Sequence, residues 1–473
     1  MILHKLSSTF LLVSLSLLCT HPLSAQSISI HENNGDRKIV VEEGRKKLTI
    51  RSEGTFSLSE DDRSINSISS DGYLEVEEKR PGTARKLLIE PNGNQLSYRY
   101  REDGRTTEYD AEAQAWFADL LTTLVRKTGL GAESRVERFY SQSGTEGVLE
   151  EIARLEGDHV QTIYFKLLLD YDIPSRDIDE IIRAVGSTIN SDHYRTEIFK
   201  EHRQVLLADA SNVDSYLSAI STVDSDHYKS ELISLVVDLI MSSSDQNNLL
   251  ALIATLDSDH YKHEVISQVV RQPVSEENLS FLVENLLPEI DSDHYRSEVI
   301  DELLEHQNDW SSAALDHIME AVGQMDSDHY QAESLKRLLR TQPQASKNYD
   351  ILYRALEEID SDHYKSEVMH SLIKQDQVVP SLNSFLQGTQ MMGSDHHRAG
   401  VLRSLVSETD LTPDQLAEVI NSASDIKSDH YLSEFLLEAC QESDDEKVTD
   451  AIAQTAKSIS SDHYYGRVMK CLN

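Results

Sequence analysis

A four-residue unit, Ser-Asp-His-Tyr, returns eight times along this 473-residue chain. It stands at Ser191-Asp192-His193-Tyr194, Ser225-Asp226-His227-Tyr228, Ser258-Asp259-His260-Tyr261 and Ser292-Asp293-His294-Tyr295. It returns at Ser327-Asp328-His329-Tyr330, Ser361-Asp362-His363-Tyr364, Ser428-Asp429-His430-Tyr431 and Ser461-Asp462-His463-Tyr464. Degenerate copies at Gly157 and Ser394 complete the series, with successive spacings of 34, 34, 33, 34, 35, 34, 33, 34 and 33 residues. Such a period is the signature of a repeat architecture and takes precedence over any local reading. Each unit reads as two helices, for example Ser275 to Ile290 before a motif and Tyr295 to His306 after it. A pair of that length cannot bury its apolar stripe alone, whereas stacked pairs bury one continuous core. The expected fold is therefore mainly α: a right-handed α-solenoid of about ten two-helix repeats, roughly 90 Å long at about 9 Å between neighbouring helices.

What precedes the repeat has a different period. Residues 26–110 alternate apolar positions, such as Leu48 and Ile50, Leu74 and Val76, and Leu96, Tyr98 and Tyr100. Turn pairs stand at Asn34-Gly35, Asp71-Gly72, Pro81-Gly82, Asn92-Gly93 and Asp103-Gly104. This predicts a small antiparallel β-meander domain. From Ala111 the spacing becomes helical, with Trp116, Leu120 and Leu124 on one face, Phe117 and Leu121 beside them, and Gly129 as the stop. That helix is expected to cover the β-unit and open a linking region, residues 111–156, that contains the first repeat helix; the motif repeats then occupy 157–473.

Residues 1–25 read as a secretory signal peptide: Lys5, an apolar run from Leu6 to Cys19, Pro22, and small residues before Gln26. The expected location is outside the cytoplasm, periplasmic or extracellular, with no membrane insertion and no lipid anchor, because Leu18 stands where a small residue would precede a lipidated Cys19. Only Cys440 and Cys471 follow that segment. They fall near equivalent positions of adjacent second helices, and we read them as two buried thiols, with a disulfide as the alternative.

The formal net charge is −38. Residues 26–110 carry 17 acidic and 14 basic side chains, so nearly all the acidity belongs to the helical part. Such a body repels nucleic-acid phosphates and anionic lipid, which leaves a solvated surface or attraction of a basic partner.

Ser and Asp suit a helix N-cap, because their oxygens accept from unpartnered first-turn N–H groups, and Asp meets the positive end of the helix dipole. Each motif is therefore expected to open the second helix of its unit with its own side chains as caps. Tyr261, Val265 and Val269 are spaced by four, so Tyr belongs to the apolar stripe, with His at its edge in a polar ladder along the stack. Glu197, Glu231, Glu264, Glu298, Glu333, Glu367 and Glu434 follow three residues after Tyr and should pair with Lys or Arg of a neighbouring unit.

The chemical alternative is a metal array. Asp226 and His227, Asp259 and His260, Asp293 and His294, Asp328 and His329, and Asp362 and His363 each follow a further Asp, and carboxylate pairs beside imidazole could seat Ca²⁺, Zn²⁺ or Mn²⁺. Against it, a helix N-terminus disfavours cations and no calcium-loop ligand set is present. No nucleophile elbow, paired-Cys motif or phosphate loop occurs, and groups repeated along a rod do not make one cleft, so we expect neither an enzyme nor a cofactor. Two units break the pattern: Val160 replaces Tyr in the first, and His397 follows His396 in the eighth, where Gly400 also replaces Glu.

The 34-residue helical pair opening on S-D-H-Y-K-S-E-V, as at Ser361 to Val368, resembles the HEAT-like or tetratricopeptide-like solenoids of secreted bacterial proteins. It is also similar to repeats in the extracytoplasmic tails of sensor-type membrane metallopeptidases. The peptidase is missing: His263-Glu264 has Ser267 where a second zinc-binding His would stand. The resemblance implies a solenoid that binds something and transfers no active site. Together these readings predict an exported, non-enzymatic scaffold whose concave face binds a protein or peptide in the cell envelope. A metal-stabilised protein is one alternative, and an accessory domain of an envelope peptidase or sensor is another.

Overall fold

The computed structural model describes residues 26–33, 36–239, 243–307 and 310–472. The segment read as a signal peptide and the Asn34-Gly35 turn lie outside them. The chain divides into two compact units, one ending at Ser215 and the other beginning at Tyr216. The division falls inside the helix Val213–Ser221, well past the start of the motif repeats.

The first unit opens with nine strands: β1 (Gln26–Asn33), β2 (Asp36–Glu43), β3 (Lys46–Glu53), β4 (Phe56–Leu58), β5 (Ile65–Ile68), β6 (Tyr73–Arg80), β7 (Thr83–Asn92), β8 (Gln95–Glu102) and β9 (Arg105–Thr107). Seven form one antiparallel sheet in the order β1-β2-β3-β6-β7-β8-β9, while β4 and β5 leave it as a separate hairpin. The expected meander is thus interrupted once, between β3 and β6. Alternation sets the register, because a slip of one residue would send every apolar side chain to water. Ile39 lies opposite Ile50, Ile50 opposite Val76, Val76 opposite Leu87, and Leu87 opposite Tyr100, a buried row across five strands.

Helix α1 (Ala111–Thr128) covers that row. Asp110 caps it through Glu112 and Ala113 N–H groups, and Gly129 ends it at φ 68°, a left-handed conformation that glycine adopts without a Cβ clash. Phe117, Leu120, Leu121 and Leu124 join the sheet core as the spacing predicts. Trp116 is half-buried, and its indole N–H donates to Glu78 at 2.9 Å. Helix α2 (Ala132–Ile152) follows, kinked at Gly144.

From Asp158 onward the helices alternate. Each motif opens one helix, as in Asp259–Val270, Asp293–His306 and Asp328–Thr341, and packs on the motif helix of the neighbouring repeat within its unit. The intervening helices, such as Ser312–Gly323 and Tyr349–Glu357, pack on one another in the same way. Their starts carry caps of their own: Ser275, Ser311, Thr412 and Asp445 each accept from an N–H two or three residues on. The stretch expected to be one helix from Ser275 to Ile290 is α-helical only over Glu276–Phe281 and continues as a π-helical turn, Leu282–Leu286.

Near the C-terminus the two-thiol reading is corrected. Cys440 and Cys471 form a disulfide, their Cα atoms 6.5 Å apart, because packing of the last two motif helices sets nearly equivalent positions side by side.

Candidate functional site

In every motif Ser is the N-cap, Asp the first helical residue, and His and Tyr the next two. The expectation that Asp caps its own helix is overturned. Its carboxylate instead accepts from the backbone N–H of the next motif's Ser: Asp158 from Ser191 at 2.6 Å, Asp226 from Ser258 at 2.7 Å and Asp259 from Ser292 at 2.8 Å. The same bond joins Asp293 to Ser327, Asp328 to Ser361, Asp362 to Ser394, Asp395 to Ser428 and Asp429 to Ser461, at 2.7 to 2.9 Å. Asp stands one residue past the N-cap position, with its side chain tilted toward the N-terminal end of its helix, and there the neighbouring repeat supplies the donor. Own-helix capping by Ser occurs only weakly, at Ser394 and Ser428, each 3.5 Å from the N–H three residues on.

His and Tyr then build a second ladder. Within a motif the two rings are about 5 Å apart, 5.1 Å for His260 and Tyr261. Between motifs His reaches forward to the next Tyr: 5.8 Å from His227 to Tyr261, 5.7 Å from His260 to Tyr295 and 5.8 Å from His294 to Tyr330. In the second unit this makes an unbroken file of sixteen rings, from Tyr228 to His463, tilted at every contact but the last, where His463 meets Tyr464 edge-on. Tilted contacts at this separation favour the ring quadrupoles. The first unit carries a shorter file, His159, Tyr194 and His193.

Every imidazole of the long file except His397 is exposed and every tyrosine is half-buried. Tyr therefore sits on the shoulder of the apolar stripe rather than inside it, and the stripe proper begins with Val265 and Val269. The polar ladder expected of His is chiefly one of ring contacts; at His227 a hydrogen bond to the Tyr261 hydroxyl, 3.3 Å, accompanies it. At the eighth motif His397 replaces tyrosine, so three imidazoles adjoin: His363 to His397 at 5.8 Å and His397 to His396 at 5.1 Å. Burial and the neighbouring His396 and His363 hold His397 below the usual imidazole pKa.

The metal alternative required the Asp and His of each motif to converge. The structure places them apart in role: Asp226, Asp259, Asp293, Asp328 and Asp362 turn to the next repeat's backbone, while His227, His260, His294, His329 and His363 turn to the next repeat's ring. Among the described residues no three His, Cys, Asp or Glu side chains are grouped to hold a metal ion.

A feature the sequence reading missed lies one position beyond Tyr. Arg195, Lys229, Lys262, Arg296, Lys365 and Arg398 are all buried, at 4 to 8% exposure. Four of these heads seal carbonyls at or just past the C-terminal ends of the intervening helices, while Lys229 donates to the Thr255 hydroxyl at 3.2 Å. Arg195 donates to the Ile189 carbonyl, Lys262 to Glu289, Arg296 to Ile290 and Ala321, and Arg398 to Ser422. A cation there meets the negative end of a helix dipole and satisfies orphan acceptors. The recurrence of Lys or Arg beside Tyr was the available signal.

The expected glutamate pairs form in part. Glu197 pairs with Lys166, Glu367 with Lys336 and Glu434 with Arg467, each from a neighbouring repeat, at 2.6 to 3.1 Å. Glu298 faces His263 and His294 instead, at 3.5 and 3.6 Å.

A buried ionic cluster in the first unit was also unforeseen. Arg135, fully buried, pairs with Glu151 at 2.6 Å and Asp62 at 2.8 Å and donates to the Tyr164 hydroxyl. Burial works against the guanidinium charge, but these partners outweigh it and raise the Arg135 pKa. Burial likewise opposes ionisation of Glu151, yet Arg126 and Arg135 hold its carboxyl below the usual range. Asp62 reaches the cluster at φ 54°, a left-handed conformation within the turn linking β4 to β5.

No family model matches this chain, and no curated protein matches it. One solved structure, described as "Computational Design of Self-Assembling Cyclic Protein Homooligomers", is similar at 12% identity, covering 69% of this chain and 92% of that one, with a TM-score of 0.10. A likeness that low carries no argument about this chain.

Proposed function

We propose that the protein is an exported, non-enzymatic scaffold, a right-handed α-solenoid of about ten repeats, that binds an extended protein or peptide segment along its file of His and Tyr rings. The observation that carries this reading is the file itself: sixteen rings in unbroken sequence, with every imidazole but His397 turned to solvent. The Asp carboxylates from Asp226 to Asp429 join their repeat to the backbone of the next motif's Ser, so the rings are what the motif offers outward. Rings of this kind supply contact area with little conformational entropy to lose, and tyrosine is enriched where proteins bind proteins. An extended chain rises about 3.3 Å per residue, so about three residues span one repeat at roughly 9 Å. A site for catalysis would gather different groups in one cleft, whereas this surface presents the same two groups at a constant interval.

The test is display selection of random 12-residue peptides on purified residues 26–473. The reading expects an enriched consensus whose binding is lost when His260, His294 and His329 are replaced by Ala at unchanged melting temperature. Failure to enrich any peptide, or a consensus indifferent to the triple replacement, would remove it.

A further inference from the structure

A cleft of about 500 Å³ opens in the first unit between the β4–β5 hairpin, helix α2 and the motif helix Asp158–Leu169. Its floor is apolar: Ile68 and Val136 are buried, and Phe56 and Leu167 half-buried. Its rim is not. Glu133, Glu137 and Asp170 stand there exposed, and no Lys, Arg or His lines the cleft. Among the described residues none of these three carboxylates takes part in an ion pair or side-chain hydrogen bond, although carboxylates elsewhere in this unit, such as Asp62 and Glu151, are paired.

One wall is built in advance. Tyr171 lies against Tyr140 with ring centroids 4.4 Å apart, and the Tyr140 hydroxyl donates to the Asp172 carbonyl at 3.3 Å. The Tyr171 phenol is held above its usual pKa by burial and then by the charge of Glu137, which places that carboxylate and the ring in one field. On the opposite wall the Ser57 and Ser67 hydroxyls bond to each other at 2.5 Å and so stiffen the hairpin rather than compete for a ligand.

An apolar floor under an anionic rim, with an aromatic face between them, matches one kind of side chain. The aliphatic stem of lysine or arginine lies on apolar surface while its head stays among charges and ring faces. A cleft lined by one sign of charge also concentrates the field and draws in the opposite charge. We propose that this cleft receives a lysine or arginine side chain from an extended segment of a partner protein. It deepens the peptide-scaffold reading by naming the chemistry of the partner, yet it shares no residue with the ring file. A polyamine offers the same head groups without a polypeptide and is the competing source.

The test uses fluorescent Gly-Ser-Gly-Arg-Gly-Ser-Gly and its twin with citrulline for arginine, which keeps the shape and removes the charge, titrated onto residues 26–473. The expected result is at least about tenfold tighter binding of the arginine peptide at low salt, a preference that shrinks as salt screens the rim. Glu133→Gln, Glu137→Gln and Asp170→Asn together should erase the preference without moving the melting temperature, and Tyr171→Ala should weaken it. Equal binding of the twins, or a preference that survives the triple neutralisation, would overturn the proposal. So would spermidine binding more tightly than the arginine peptide. The His260, His294 and His329 triple variant should keep the preference, so failure of the ring-file reading and failure of this one are told apart.

Discussion

The carboxylate of Asp259 accepts the backbone N–H of Ser292 at 2.8 Å, so the residue that opens one motif helix holds the start of the next. The two are 33 residues apart in the chain, and the repeat period brings them into contact. Asp259→Ala removes a charged acceptor and leaves a partly buried N–H without one. The expected loss is about 1–3 kcal/mol in urea unfolding, with Asp259→Asn costing less because its amide oxygen still accepts. Equal stability of wild type and Asp259→Ala would show that water replaces the bond at no cost.

Arg296 is buried at 5% exposure and donates to carbonyls of Ile290 and Ala321, which close two successive intervening helices. Arg296→Ala should destabilise by roughly 2–4 kcal/mol, since it opens a cavity and strands both acceptors. Arg296→Met, which fills the space without donating, separates the two causes: recovery of most of the loss would assign it to packing.

In the first unit, Glu151 titrates below its usual value of 4.5 because Arg126 and Arg135 stabilise its charge against the cost of burial. A carboxyl depressed by folding contributes stability that is complete above the unfolded value and is lost as pH falls through the folded one. Calorimetric melting should therefore be level above about pH 5.5 and decline below about pH 4.5. Glu151→Gln should flatten that decline, and Arg135→Met should cost about 3–5 kcal/mol at neutral pH by leaving the buried Glu151 with Arg126 as its remaining close partner and the Tyr164 hydroxyl without its donor.

His263 lies beside Tyr295 at 5.6 Å, and burial pulls its imidazole below the usual 6.5 despite the facing Glu298 and Glu302. The unfolded chain then takes up the proton first, so stability falls as pH drops from 6.5 toward the folded value and falls no further below it. Imidazole NMR titration should place His263 and His397 below 6.5. His263→Gln should reduce the stability change between about pH 7 and pH 5.5.

The disulfide between Cys440 and Cys471 closes 31 residues. By the loop-entropy argument it contributes about 3–4 kcal/mol, felt at the last repeat. Paired Cys440→Ser and Cys471→Ser replacement should increase hydrogen exchange in the helix Asp462–Cys471 and leave the sheet of the first unit unchanged. Uniform exchange along the chain would contradict a local role.

Period alone determined most of the architecture. Spacings near 34 residues separate the helical repeats from the alternating strands before them, and Gly129 marks the end of the covering helix, because burial periodicity and left-handed φ are local properties. The eight motif copies also identified where the ring-bearing residues would line up. What Asp, His and the following cation do depended on which atoms of the next repeat stand beside them, and no spacing within one repeat states that. Own-helix capping was the local answer for Asp226 and Asp259; neighbour capping prevailed because stacking places a free N–H nearer to the carboxylate. Nothing local marks Lys262 and Arg296 as buried; the carbonyl ends of the intervening helices come over them only in the packed repeats, and the Cys440–Cys471 bond likewise needed two helices side by side. The β4–β5 hairpin and the cluster at Arg135 were invisible for the same reason: residues 62, 135 and 151 share no period, and only tertiary packing makes them neighbours.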